Sequence, residues 1–287
     1  MTVLMWVIPY RPHPRCDTYL YVALDGSEDY ESIAAAVNAT TPFNPLRTCI
    51  FIKKGQYEES VTVPSEKINV VFLGDGINRT IITSNNLFNT TSTGTLKILG
   101  TGFLAMDLTI RNTARPGEGE EAVALENWGD ESIFYRCSFT GNSRTLYAVG
   151  FKQFYRASEI HGSTYFIYGG AQAVFQNCVI KTVQSGEKDI VVSGNVRSYP
   201  SQQSGFFFQM CKFVNPLALF TSGTALSVYL GAPITPYSTE IVMQSYLDSS
   251  VIGWKLYSPT FSQCPNTAFF AEFKNNGVGT TNRNLSS

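Results

Sequence analysis

The hydrophobic positions change rhythm once along the chain. Between Asp29 and Val37 they recur at helical spacing, with Ile33, Ala36 and Val37 on one face and Asp29 as a candidate acidic cap, predicting one short amphipathic helix. From Arg47 onward that period is gone. Runs such as Cys49–Lys53, Asn69–Leu73, Thr80–Thr83 and Thr95–Leu99 are β-branched or aromatic and are separated by Gly, Asn, Asp and Ser. They predict many short strands in an all-β body.

These runs also repeat one another. Phe134–Phe139, Phe154–Ile160, Phe175–Ile180, Phe207–Phe213 and Ile241–Leu247 each open on a large apolar residue, pass through polar positions, reach a small Cys or Ser, and close on an apolar residue. The small residues are Cys137, Ser158, Cys178, Cys211 and Ser245. Early steps of about 20 residues match one turn of a parallel β-helix, and longer later steps imply loops inserted into a turn. Equivalent positions of such a solenoid stack, so Cys178 and Cys211 become neighbours and the best candidates for a disulfide in an oxidising compartment. By the same stacking, Cys137 faces Ser158 and has no cysteine mate.

Composition narrows the class. With 287 residues, 44% of them hydrophobic and 15% charged, the chain can bury a sizeable core. A net charge of −1 supplies no field for nucleic acid or an anionic membrane, so neither is expected as a partner. Six cysteines without a C-x-x-C pair, and two histidines, His13 and His161, give no metal-ligand spacing. No metal or cofactor is expected, and ordinary apolar packing is the first expectation at each cysteine. Four N-glycosylation triplets begin at Asn38, Asn78, Asn89 and Asn284. The apolar stretch Thr2–Tyr10 is short, lacks a basic start and runs into prolines, so it gives no clear secretory leader and does not settle the compartment. No run approaches the roughly 20 apolar residues of a membrane-spanning helix.

The stretches Val22–Tyr30, Phe72–Gly76, Ala122–Leu125, Phe134–Cys137, Thr145–Tyr147 and Phe166–Gly169 resemble, in order and spacing, the plant pectin methylesterases, from about Tyr21 to about Gly279. That resemblance implies a right-handed, single-stranded parallel β-helix, with residues 1–20 a lead segment and 21–287 a β-helix domain shortened at its C-terminal end. It also implies a secreted, monomeric cell-wall protein directed at methylesterified homogalacturonan, with a pectinesterase-inhibitor-type protein as a candidate partner.

Family chemistry needs a nucleophilic Asp, a second Asp as acid and base, two Gln side chains for the oxyanion and an orienting Arg. In this chain the matching positions hold Tyr165, Arg144, Ser143, Glu121 and Ala232. A phenol with pKa near 10 is a poor neutral-pH nucleophile. A guanidinium does not release its proton, and an ionised Glu repels an oxyanion. No catalytic residue is therefore assigned. Glu121 and Arg144 fall side by side in the family site and are expected to pair. Positions matching the family's substrate contacts persist at Thr95, Tyr147, Phe166 and Trp254. Their alternative role is simply to finish the β-helix wall. His161, four residues before Tyr165, would share a face with it in an extended strand, the one hint of a rebuilt site. The expectation is a pectin- or partner-binding protein without methylesterase turnover. The alternatives are an active pectinesterase working through a rearranged site, and a degenerate product without function.

Overall fold

The computed structural model describes residues 14–87, 94–114, 121–183, 189–216 and 227–281. Among them the chain winds through three sheets built only of parallel pairs. The first sheet has ten strands, from Thr18–Val22 to Phe269–Phe273; the second and third have eight each, and sheet neighbours always come from successive coils. This is the parallel β-helix that the repeating runs predict, with the right hand that the resemblance implies. Its first sheet already begins at Thr18, within the lead segment.

Parallel register makes like side chains stack. Phe134, Tyr155, Phe175 and Phe208 occupy equivalent inward positions of the first sheet. Successive rings lie 5.1, 4.8 and 4.7 Å apart and within 13° of parallel. All four side chains are fully buried, so this column is the backbone of the core.

One corner recurs on seven successive coils. Asp107, Arg136, Ala157, Asn177, Met210, Gln244 and Lys274 turn the chain from the first sheet to the second with φ between 50° and 58°. Left-handed backbone costs a non-glycine residue roughly 1–2 kcal/mol. Stacked bonds offset it: Arg136 N–H donates to Arg156 O at 3.1 Å, Ala157 to Gln176 O at 3.0 Å, and Asn177 to Gln209 O at 3.0 Å. The residue after each of five of these corners is the small one of the repeat. Cys137, Ser158, Cys178, Cys211 and Ser245 are all buried there, and the Ser158 and Ser245 hydroxyls accept the Cys137 and Cys211 N–H groups at 3.1 and 3.0 Å.

The disulfide expectation is corrected. The bridge joins Cys16 to Cys49, with Cα atoms 5.8 Å apart, whereas Cys178 and Cys211 are free. They are neighbours as expected, but each thiol already donates to a carbonyl of the coil before it, Cys178 to Tyr155 O at 3.4 Å and Cys211 to Phe175 O at 3.3 Å. Cys16 precedes the first strand and has no place in the repeat, so spacing did not mark it.

The predicted helix forms over Ile33–Ala39 and buries Ile33, Ala36 and Val37. Its cap is Ser32, whose Oγ accepts from Ala35 N–H at 3.2 Å, not Asp29. Asp29 instead accepts the Tyr21 N–H at 3.1 Å. Glu59 reaches back from the second sheet to accept from Ile33 N–H at 2.8 Å and Ala34 N–H at 3.0 Å. A carboxylate there also complements the positive helix end. Asn38 and Asn78 are exposed, while Asn89, Asn284, Thr2–Tyr10 and His13 lie outside the described residues.

Candidate active site

The turns from the second sheet to the third carry the altered positions. Arg144 lies between strands Ser138–Thr140 and Leu146–Ala148, and Tyr165 between Glu159–Gly162 and Ile167–Gly169. Both are left-handed, with φ of 49° and 43°, which lifts their side chains out of the strand path. On the coil before Arg144, Glu121 precedes strand Leu125–Asn127.

The expected pair is formed. Arg144 Nη1 meets Glu121 Oε1 at 2.6 Å, and the Arg144 guanidinium carbon lies 4.1 Å from the centre of the Tyr168 ring. A charge-assisted contact on one side and an aromatic face on the other fix the guanidinium. Glu121 Oε2 is buried without a hydrogen-bond partner among the described residues.

Bulk fills the neighbouring space. A Cβ on Gly194 would lie 2.9 Å from Ile234 Cγ1 and 3.1 Å from both Tyr165 Cδ1 and Tyr168 Cδ2. Tyr165, Tyr168 and Ile234 thus close around one glycine. Ala232 is fully buried and has no polar side-chain atom.

On the third sheet Lys97, Glu126, Tyr147, Tyr168 and Gly194 stand in one outward row, strand by strand. The Tyr147 and Tyr168 rings are 6.0 Å apart, and burial pushes the Tyr147 phenol up, opposed by Arg144. Three ion pairs line this face: Lys97–Glu126 at 3.0 Å, Arg144–Glu121 at 2.6 Å and Lys255–Asp189 at 3.2 Å. Of these residues only Glu121, Arg144 and Tyr147 were marked by the sequence. The in-register row was the missed signal, because it needs strand pairing as well as alternation.

The four expected contact residues divide. Thr95 is fully buried, its hydroxyl 2.8 Å from Ser84 Oγ and 3.1 Å from Arg111 O. Phe166 is also fully buried and belongs to the core. Tyr147 and Trp254 are half-buried, and Trp254 packs on Phe270 with ring centres 5.0 Å apart. His161 does not join Tyr165. Its Nε2 lies 3.0 Å from Glu159 Oε2, which also takes Lys181 at 2.9 Å, and burial lowers the imidazole's pKa. The strand ends at Gly162, and the turn that follows separates the two faces.

Among the described residues the site offers hydrogen-bonding and stacking surfaces, and its Glu121 carboxylate is committed to Arg144. Among the described residues no cluster of His, Cys, Asp and Glu could hold a metal ion.

The three-sheet parallel solenoid defines the fold class, and the comparisons specify the family. The Pectinesterase family model matches residues 19–285. Pectinesterase 2 of Citrus sinensis is 36% identical over 271 residues, 92% of this chain and 52% of that one. A putative pectinesterase/pectinesterase inhibitor of Arabidopsis thaliana is 38% identical over 265 residues, 90% of this chain and 47% of that one. Among solved structures, pectin methylesterase from carrot superposes with a TM-score of 0.84 at 33% identity, covering 96% of this chain and 88% of that one. The chain belongs to the pectinesterase family. It spans about half the length of the curated relatives it matches.

Proposed function

We propose that this chain binds pectin, a methylesterified galacturonan, in its groove and does not hydrolyse the ester by the family's nucleophile-and-acid route. The observation that carries this reading is the Glu121–Arg144 pair at 2.6 Å. It occupies two positions that the chemistry needs as an oxyanion donor and a proton donor. A guanidinium held by a carboxylate cannot serve as the acid. Loss of one oxyanion donor costs roughly 10²–10³ in rate, and loss of a general acid roughly 10²–10⁴. Tyr165 in place of the nucleophile removes the covalent route itself.

For binding, Tyr147 and Trp254 offer aromatic surface, while Thr95 and Phe166 support the wall beneath. A secreted, cell-wall setting fits the Cys16–Cys49 bridge and the exposed Asn38 and Asn78 sequons. No helix among the described residues is long and apolar enough to cross a membrane. An inhibitor-type protein that recognises pectinesterase surfaces is the candidate partner. Turnover through a rearranged site is the second reading, favoured by relatives at 36–38% identity that bear the pectinesterase name.

The test is methanol release from highly methylesterified pectin by the folded protein, beside Glu121→Gln, Ser143→Gln, Arg144→Asp, Tyr165→Asp and Ala232→Arg combined. We expect no release above buffer from the parent, saturable pectin binding by it, and measurable release from the combined variant. Release by the parent that is lost on Tyr165→Phe or Glu121→Gln would establish the rearranged enzyme instead.

A further inference from the structure

Trp128 is 40% exposed, yet its indole is fixed. Nε1–H donates to Glu126 Oε1 at 2.8 Å, and the same oxygen takes Lys97 Nζ at 3.0 Å. Glu126 is only 3% exposed, and its second oxygen is buried without a hydrogen-bond partner among the described residues. Burying a carboxylate half-satisfied works against folding. What the arrangement does is lock an aromatic ring at the surface by its edge.

The ring's place is equally specific. Trp128 is the first residue after strand Leu125–Asn127, and its bond to Glu126 holds the ring beside the outer face of the third sheet. Glu126 pairs in register with Tyr147, and Tyr147 with Tyr168. Neighbouring strands are about 4.8 Å apart. Glu126 therefore continues the tyrosine row one coil towards the N-terminal end of the solenoid, and Trp128, bonded to it, stands beside that row. Beside the ring Lys97 and Glu126 neutralise each other.

We propose that Trp128 is a sugar-stacking subsite, taking the apolar face of an esterified pyranose unit of the polymer that the groove binds. This rests on the pectin-binding reading and adds a residue and a preference to it. A pre-oriented indole loses little freedom on binding, and stacking buries its exposed face. A unit with a free carboxylate gains nothing, because the adjacent lysine is already committed to Glu126.

The experiment is calorimetric titration of the folded protein with a fully methylesterified galacturonan hexasaccharide and with its de-esterified counterpart. Parent, Trp128→Ala, Trp128→Phe and Tyr147→Ala are compared. We expect Trp128→Ala to weaken binding of the esterified oligomer about tenfold, the scale of one aromatic hot spot. Trp128→Phe should stay within about threefold of the parent, and the de-esterified oligomer should bind more weakly throughout. Saturating ligand should also shield Trp128 from acrylamide quenching in the parent. Unchanged affinity in Trp128→Ala while Tyr147→Ala weakens would overturn the subsite and leave the pectin reading standing. Equal affinity for the two oligomers would overturn the preference. Absence of binding by the parent would remove both.

Discussion

Arg144 meets Glu121 at 2.6 Å across two successive coils. The side chains are 34% and 20% exposed, so their attraction is partly screened. The two partners are not equivalent. Without Glu121, Arg144 keeps the Tyr168 ring and water. Without Arg144, Glu121 loses the partner of Oε1 as well, while Oε2 is already buried and unpaired among the described residues.

Arg144→Ala should therefore destabilise by about 2 kcal/mol and Glu121→Ala by about 1 kcal/mol, since stranding a buried acceptor costs more than losing a partner. A double-mutant cycle should give a coupling of about 0.5–1 kcal/mol. Urea unfolding of the four proteins measures it, and equal single effects would mean that Glu121 relaxes into solvent.

The Cys16–Cys49 bridge closes a segment with a sequence separation of 33. Cross-linking a loop of that length is worth about 3–4 kcal/mol. Cys49→Ser should lower the melting temperature accordingly, as should reductant on the parent. Native thiol titration separates this bridge from the pairing that the repeat suggests. Cys137, Cys178 and Cys211 are buried, and burial pushes the Cys137 thiol up to about 12. Cys264 is the partly exposed thiol and should be the fast-reacting one. Two or more fast thiols would contradict the assignment.

The solenoid was legible because its corner imposes a rule on residue type: a left-handed residue, then a small buried one, which writes Cys137, Ser158, Cys178, Cys211 and Ser245 into the sequence. The Glu121–Arg144 pair was legible as two opposite charges replacing neutral and acidic groups at adjacent family positions. Thr95 and Phe166 were less transparent. They sit beside turns, where no periodicity says which way a side chain points, and both point inward. Trp128 was missed for another reason. It stands just past a strand end, and its tie to Glu126, the residue in register with Tyr147, exists only once the coils are paired.

Glu240 supplies a pH-dependent prediction. It is fully buried, and Asn195 N–H donates to its Oε1 at 2.8 Å while Oε2 contacts Ser193 Oγ. The Ser193 hydroxyl has one hydrogen and two acceptors within reach, Leu230 O at 2.7 Å and Glu240. A neutral Glu240 resolves the contest by donating to Ser193 Oγ, leaving the serine hydrogen for Leu230. Burial, opposed by the Ser193 and Asn195 contacts, raises its pKa from 4.5 to about 7. Between those values the folded state holds a proton that the unfolded chain has released. Stability from this group is thus fully present below about 4.5 and is lost as pH rises through about 7. Glu240→Gln keeps an acceptor for Asn195 and a donor for Ser193 without a charge. Its stability relative to the parent should be near zero difference at pH 4.5 and rise to an advantage on the order of 3 kcal/mol by pH 8. Urea unfolding across that range reads it directly. A flat difference, or a less stable glutamine variant at pH 8, would mean that Glu240 is ionised inside the fold.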